Sequence, residues 1–162
     1  MTIKEAIQKL EHFCAYQERC HAEVVSKLYS LKMTSDEIDS IVVQLIENNF
    51  LNETRFACSF ARGKHRIKSW GKIRITNELK ARQISSTNIT LALKEISPEE
   101  YESTFENLAE RCWNSINEKN LLKKRKKFLR LFAGYQSSPR VLIKCEETCV
   151  NERSQVSWLK IS

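Results

Sequence analysis

One pattern of apolar residues occurs twice in this sequence, and it constrains the fold more than any other feature. The apolar positions Val24, Leu28, Met33 and Ile38 correspond, at one constant shift of 51 residues, to Ile75, Leu79, Ile84 and Ile89. A looser third copy includes Leu129, Tyr135 and Val141, with its spacing slipped by one residue. Units of this size bury their apolar faces against their neighbours in the chain. The pattern therefore predicts a tandem array of repeats with an elongated, curved body.

Helix signals are frequent in every copy, whereas the residues that interrupt helices are rare. The 162 residues contain three glycines and two prolines, which favours helices over strands and hairpins. Candidate N-cap residues stand before several helical segments, in most cases before an acidic or proline-containing first turn. They are Thr2, Thr34, Asn52, Ser86, Ser97 and Ser138. These signals predict an all-α fold of nine helices, three in each of three repeats.

The predicted repeats divide almost the whole chain. Their boundaries are 1–52, 53–97 and 98–150, followed by a C-terminal tail at 151–162. In each helix we expect one apolar stripe to face the core. In the second repeat this stripe is formed by Phe56, Phe60 and Ile67. Gly71 is expected to allow the turn into the next helix.

Positive charge is concentrated in two segments, although the net charge of the whole chain is only +7. Basic segment 1, residues 60–75, reads FARGKHRIKSWGKIRI and carries six lysines and arginines without one acid. Basic segment 2, residues 121–131, reads LLKKRKKFLRL and also lacks acids. Residues 1–54, by contrast, hold nine acids and five bases. The two segments indicate a polyanionic or acidic partner, and a solvated helix face is the alternative.

Several function classes lack their usual markers in this chain. There is no GxxxxGK[ST] loop, GxGxxG or HExxH motif, so nucleotide hydrolysis, dinucleotide chemistry and zincin-type proteolysis are disfavoured. The nearest group to a metal cluster is His12, Cys14, Cys20 and His21, whose spacing matches no common zinc pattern. We therefore expect no enzymatic activity, no cofactor and no metal.

The cellular compartment is inferred from the cysteines and from the apolar runs. Six cysteines occur without a secretory signal, which favours reduced thiols over a disulfide framework. The longest apolar runs fall far short of the roughly 20 residues that span a bilayer. We expect a cytoplasmic protein that makes no membrane contact and acts as a monomer.

A combination of short motifs extends from Phe50 to Leu93. They are Phe50-Leu51, Asn52-Glu53, Arg55-Phe56-Ala57, Phe60, the basic stretch 62–68, Gly71 with Arg74-Ile75, Glu78-Leu79 and Ile89 to Leu93. Together these motifs resemble the signature repeat of the RecX regulatory proteins. The run CAYQERCHAEVVSKL, which begins at Cys14, resembles the first repeat of the same family. The C-terminal repeat is the weakest match, and the resemblance spans residues 4–145.

The resemblance implies a non-enzymatic protein of tandem three-helix repeats that regulates the RecA recombinase in DNA repair, recombination and the SOS response. RecX-like proteins lie along the helical groove of the RecA filament on DNA. There they block strand exchange, and they can cap or destabilise filament growth. The implied partners are therefore the RecA filament and, within it, single-stranded or double-stranded DNA.

The predicted contact residues lie in the two basic segments. They are Arg62, Lys64, Arg66, Lys68, Trp70, Lys72 and Arg74 in basic segment 1, and Lys123, Lys124, Arg125, Lys126 and Lys127 in basic segment 2. Contacts from lysine and arginine to phosphate do not depend on base sequence. Trp70 is either a packing residue of the turn or an exposed platform for a base.

Two further interpretations remain open at this stage. The first is a helical nucleic-acid-binding regulator that has no recombinase partner. The second is a protein-interaction adaptor that does not touch nucleic acid. The sequence also leaves open how the basic residues divide between RecA and DNA.

Overall fold

The computed structural model describes residues 2–131 and Tyr135. These residues form eight helices and no strand: α1 (Ile3–Tyr16), α2 (His21–Ser30), α3 (Ser35–Glu47), α4 (Glu53–Lys68), α5 (Lys72–Ala81), α6 (Ser86–Lys94), α7 (Pro98–Ser115) and α8 (Leu121–Leu131). The predicted all-α fold is confirmed. The ninth helix, expected after Ser138, and the tail at 151–162 lie outside the described residues. No helix of the described part is long and apolar enough to cross a membrane.

The chain forms two compact units. Unit 1 contains Met1–Gly63 and Thr76–Glu95, and unit 2 contains Lys64–Ile75 and the chain from Ile96 onward. In unit 1, α1 and α2 both pack against α3. Their shared core consists of Ala6, Leu10, Cys14, Val24, Leu28, Met33, Ile38, Ile41, Val42, Leu45 and Leu51. These residues recur at helical spacing, so each helix buries one stripe and exposes the rest.

Unit 2 has an aromatic core. In its described part, α7 packs against α8. The buried aromatic residues are Tyr101, Phe105, Trp113, Phe128 and Tyr135. The ring centroids of Trp113 and Phe128 lie 5.4 Å apart in an edge-to-face arrangement, which is a favoured geometry for aromatic pairs.

Most predicted N-caps are observed as hydrogen bonds at the helix starts. The bonds run from Glu5 N–H to Thr2 Oγ1 (3.3 Å), from Arg55 N–H to Asn52 Oδ1 (2.9 Å) and from Glu100 N–H to Ser97 Oγ (3.1 Å). At Thr34 the bond runs the other way within the predicted pair, from the Thr34 N–H to Glu37 Oε2 (2.8 Å). The prediction of Ser86 is wrong by one residue. Ser85 accepts the N–H of Asn88 at 3.3 Å and α6 begins at Ser86. Two adjacent serines are equally good caps, so local pattern alone does not choose between them.

The correspondence at 51 residues extends to the backbone. Helices α2 and α5 begin 51 residues apart, and so do α3 and α6. The loop from α2 to α3 and the loop from α5 to α6 each contain one residue in the left-handed region, Lys32 at φ 60° and Gln83 at φ 61°. The residue after it closes the turn in both cases, by Met33 N–H to Leu28 O (3.3 Å) and by Ile84 N–H to Leu79 O (3.1 Å). We call α1–α3 the first copy and α4–α6 the second copy. The boundaries of the three predicted repeats remain a prediction.

The apolar stripe predicted for α4 is wrong at its C-terminal end. Phe56 is buried, but Ile67 is 77% exposed. The buried side of α4 continues instead through Ala57, Ala61 and His65, which are spaced four residues apart. Ile67 stands two residues beyond His65, which places it on the opposite face of the helix. A histidine, rather than an apolar residue, occupies the last buried position of the helix, so the apolar pattern alone does not reveal it.

The turn between α4 and α5 does not depend on the backbone freedom of Gly71. The left-handed residue is Ser69, at φ 51°, and no described glycine has a positive φ. Ser69 directly follows the last residue of α4, the position at which helices often end in this conformation. Gly71 instead precedes α5, where its carbonyl accepts the N–H of Ile75 at 3.1 Å.

Candidate nucleic-acid interface

The turn at the centre of basic segment 1 is fixed by hydrogen bonds within unit 2. The N–H of Trp70 donates to the carbonyl of Lys64 at 3.2 Å. His65 Nδ1 lies 3.0 Å from the carbonyl of Trp70, and the hydroxyl of Tyr135 donates to the carbonyl of Ser69 at 2.6 Å. A carbonyl oxygen only accepts, so Nδ1 of His65 carries the proton. Local and distant donors therefore hold this turn in one conformation.

His65 anchors the turn from the buried side. Its side chain has no solvent exposure, and its ring stacks on Tyr101 with centroids 5.5 Å apart. Tyr101 in turn lies 5.2 Å from the ring of Tyr135. Burial, with a smaller contribution from Tyr101, raises the pKa of Tyr135 well above its ordinary value. Its hydroxyl thus stays protonated and remains a donor to the turn.

Trp70 carries two cations on its ring. The Lys64 ammonium lies 5.1 Å from the ring centroid, and the Arg74 guanidinium lies 4.1 Å from it. The side chain is partly buried, while Arg74 is exposed. A cation over an indole face is stabilised by about 0.5–1 kcal/mol at an exposed site. The ring thus organises positive charge in addition to packing in the turn.

Two arginines of basic segment 1 are held by carboxylates. In unit 1, Arg62 forms an ion pair with Glu95. In unit 2, Arg66 donates to both oxygens of Glu100, at 2.7 and 3.3 Å. The hydrogen bond and the positive charge of Arg66 lower the pKa of Glu100 below its ordinary value. These two arginines stabilise the local structure in addition to any contact with a partner.

The remaining cations of basic segment 1 differ in their environment. The ammonium of Lys72 lies 4.9 Å from the ring centroid of Tyr101. Lys68 is exposed, and within the described part of the chain it forms no ion pair. Lys68 and the exposed guanidinium of Arg74 are therefore the cations best placed to meet a polyanion.

Basic segment 2 forms α8 in unit 2. Lys124 lies 4.4 Å from the ring centroid of Trp113, and Lys127 pairs with Glu118 at 3.4 Å. Lys123 and Lys126 are exposed, whereas Arg125 is partly buried. As in basic segment 1, some cations of α8 contact an aromatic ring or a carboxylate, and others face solvent.

The thiols and histidines of the weak metal pattern do not form a coordination group. Cys14 and Cys20 are buried, whereas His12 and His21 are exposed. Burial raises the pKa of both thiols, so they are protonated at neutral pH. Within the described residues, no group of three or more His, Cys, Asp and Glu side chains is placed to hold a metal ion.

Sequence reasoning missed the aromatic support of basic segment 1. Neither His65 nor Tyr101 was predicted to position a site residue, yet both buttress the turn that carries Trp70. The 51-residue shift gives one signal for an aromatic contact at this turn. It aligns Trp70 with Arg19, whose guanidinium lies 4.1 Å from the ring centroid of Phe13. A pairing of cation and aromatic residue at this turn is thus visible in both copies.

Comparison with known proteins shows which proteins this chain resembles. Residues 52–93 match the family model described as RecX, second three-helix domain. The chain is 32% identical over 96 residues to the Regulatory protein RecX of Lactobacillus gasseri, covering 59% of this chain and 35% of that protein. It is also 32% identical over 90 residues to the Regulatory protein RecX of Lactococcus lactis, covering 55% and 34%. The match spans about a third of the length of these relatives.

Two solved structures share the fold. The crystal structure of RecX from Lactobacillus salivarius covers 91% of this chain and 96% of its own, with a TM-score of 0.76 and 22% identity. A second crystal structure of regulatory protein RecX covers 90% and 73%, with a TM-score of 0.79 and 18% identity. The resemblance predicted from the sequence is confirmed.

Proposed function

We propose that this chain, which resembles the RecX regulatory proteins in residues 52–93 and in its fold, binds a RecA recombinase filament on DNA and lowers the activity of that filament. It does so without catalysis, by occupying the helical groove of the filament. Such a partner places the protein in the cytoplasm, where it acts as a monomer. The observation that carries the proposal is the platform of Lys64 and Arg74 on Trp70, with Lys68 nearby in sequence. This platform lies within residues 52–93, which match the second three-helix domain of RecX.

The physical basis is the density of charge on nucleic acid. Each cation that neutralises a phosphate releases condensed counterions, so binding weakens as salt rises. Lys68 and Arg74 are exposed cations on a turn that His65 and Tyr135 hold in place. Because the turn is already ordered, little conformational entropy is lost when it meets the filament. Contacts of this kind are independent of base sequence, as a protein that follows a whole filament requires.

The test uses charge reversal at positions that do not hold the fold together. Reversal of Arg62 or Arg66 would break the ion pairs with Glu95 and Glu100, so the variant of choice is Lys68→Glu with Arg74→Glu. A matched control, Lys4→Glu with Lys94→Glu, changes the net charge equally at exposed lysines outside both basic segments. The measurement is RecA-catalysed ATP hydrolysis and strand exchange on single-stranded DNA, with substoichiometric amounts of each protein.

We expect the parent and the control to suppress both reactions at similar concentrations. The Lys68→Glu, Arg74→Glu variant should need at least about tenfold more protein, and the slope of log affinity against log salt should fall by about two. Circular dichroism checks that the variant is folded. A parent that binds bare DNA but leaves a cognate recombinase unaffected would overturn the proposal, and would indicate a nucleic-acid-binding regulator that has no recombinase partner.

A further inference from the structure

An open groove of about 590 Å³ lies in unit 1, and nothing in the proposed function uses it. It is lined by Phe13 of α1, by the turn before α2, by one face of α2 and by the end of α5 with the residue after it. Small residues, among them Ser26, leave room along it, and the charged lining residues are Arg19, Lys27, Arg82 and Glu23. The groove therefore combines three cations with a single carboxylate.

Arg19 is positioned by stacking, and it forms no hydrogen bond from its side chain to another described residue. Its guanidinium lies 4.1 Å from the ring centroid of Phe13. Its nearest carboxylate oxygen, Oε2 of Glu23, is 3.9 Å away, which is too far for a hydrogen bond. That oxygen instead accepts the N–H of Cys20 at 3.4 Å. Within the described residues, the hydrogen-bonding capacity of the Arg19 guanidinium is thus unused.

The other two cations complete the lining. Arg82 is fixed, because its Nη1 donates to the carbonyl and to Oε2 of Glu78, each at 2.8 Å, and its guanidinium lies 4.9 Å from the ring centroid of Phe60. Lys27 is exposed, and it forms no ion pair within the described part of the chain. A fixed guanidinium is suited to bind a carboxylate because its planar donors match the two oxygens of that group.

We propose that this groove binds an acidic peptide segment of a partner protein, with aspartate or glutamate side chains pairing with Arg19, Lys27 and Arg82. A protein chain fits better than nucleic acid because no surplus of positive charge surrounds the groove: residues 1–63 and 76–95, which form unit 1, hold eleven acids and ten bases. A long polyphosphate would find no extended basic surface there, whereas a short acidic segment needs only the cations that line the groove. The inference stands independently of the proposed function, because it concerns other residues and another class of ligand.

The test measures direct binding of a short probe to the full chain. The probe is a fluorescein-labelled peptide of alternating glutamate and glycine, and its matched control carries glutamine in place of glutamate. Ser26→Trp fills the groove from an exposed position and keeps all three cations, while Lys27→Gln removes one exposed charge. Lys94→Gln removes an exposed lysine outside the groove. Fluorescence anisotropy gives the affinities, and circular dichroism confirms folding.

We expect Ser26→Trp to weaken binding of the glutamate peptide by at least about tenfold, and Lys27→Gln by about threefold. Lys94→Gln and the Lys68→Glu, Arg74→Glu variant should bind it as the parent does. Equal binding of the glutamine peptide, or parent-like binding by Ser26→Trp, would overturn the proposal. The same holds if unlabelled single-stranded DNA displaces the peptide from the Lys68→Glu, Arg74→Glu variant, because the occupant of the groove would then be nucleic acid.

Discussion

The two copies place the same kind of contact at the same turn, with its chemistry reversed. Phe13, Arg19 and Glu23 of the first copy correspond to Lys64, Trp70 and Arg74 of the second. In both copies the first two members form a cation–π contact, but the cation and the ring have exchanged positions. The third member is an acid in the first copy and a base stacked on the ring in the second. The first set is therefore neutral overall, whereas the second carries two positive charges.

Corresponding positions of the two copies are buried to a similar degree even where their residue types differ. Cys14 and His65 correspond at the 51-residue shift, and they are exposed by only 4% and 0%. Tyr16 and Ile67 also correspond, and both are strongly exposed. The backbone of each copy thus decides which positions face solvent, and the side chains at those positions decide what the copy binds. The basic platform on Trp70 belongs to the second copy alone, whereas the groove takes Arg19 and Lys27 from the first copy and Arg82 from the second.

The largest expected effect is on the free energy of unfolding. It tests whether His65 distinguishes the turn after α4 from the corresponding turn after α1. His65→Leu retains apolar bulk but removes the donor to the carbonyl of Trp70, so we expect a loss of about 1–3 kcal/mol in the free energy of unfolding. His65→Asn keeps a donor near the position of Nδ1 and should recover part of that loss. Urea denaturation measures both. Cys14→Leu, at the corresponding position of the first copy, should leave the affinity for single-stranded DNA unchanged, whereas His65→Leu should lower it.

A wild-type unfolding free energy for His65→Leu would show that the second turn does not depend on the hydrogen bond from His65 and is held by the Trp70 N–H and the Tyr135 hydroxyl. Recovery by His65→Asn is the decisive control, because leucine also alters the packing against Tyr101. If the asparagine variant is no more stable than the leucine variant, the hydrogen bond is not the cause. The comparison between the copies would then depend only on their exposed residues.

Much of the fold was predictable because its signals are local. The N-caps at Thr2 and Ser97 and the helix start at Pro98 depend on residues within a turn or two of one another, and the 51-residue shift is found by aligning such local patterns. The exposure of Ile67 was not predictable in this way. Its apolar character agrees with a stripe that begins at Phe56, and only the burial of His65 shows that the stripe follows another row of positions.

The candidate site was predictable as a composition but not as an arrangement. Basic segment 1 is visible in the sequence, yet the ion pairs of Arg62 with Glu95 and of Arg66 with Glu100 join residues more than thirty positions apart. No periodic pattern encodes such pairs, since they depend on how helices pack. The structure therefore separates cations that stabilise the fold from Lys68 and Arg74, which face solvent.

A smaller effect is expected at the left-handed residues that join the helices of each copy. Lys32 and Gln83 have φ values of 60° and 61°, a conformation that costs a residue with a Cβ about 1 kcal/mol and costs glycine nothing. Lys32→Gly and Gln83→Gly should each raise the free energy of unfolding by about 0.5–1 kcal/mol, as measured by urea denaturation. Similar gains would sharpen the correspondence between the copies. A gain at only one position would show that the two turns differ in strain.

The smallest effect concerns pH, and it separates the copies because only the second has the ion pair of Arg66 with Glu100. The first copy has Ala15 at the position of Arg66. Arg66 lowers the pKa of Glu100 in the folded protein below its ordinary value of 4.5. The folded state thus binds the proton less readily than the unfolded state. The resulting stabilisation is complete above the ordinary pKa and is lost as the pH falls through the lower, folded value.

Glu100→Gln should therefore be slightly less stable than the parent at neutral pH, and the difference should shrink as the pH falls below the ordinary pKa of 4.5 and through the lower pKa of the folded protein. The effect is small because the pair is exposed and screened by solvent. Glu37, Glu99 and Glu118 also have lowered pKa values, but they are present in both proteins and cancel in the difference. The control Glu47→Gln removes an exposed carboxylate that has no ion pair within the described residues. A stability difference that stays constant as the pH falls would mean that Arg66 is not held by Glu100 in solution, and would return Arg66 to the cations available for a partner.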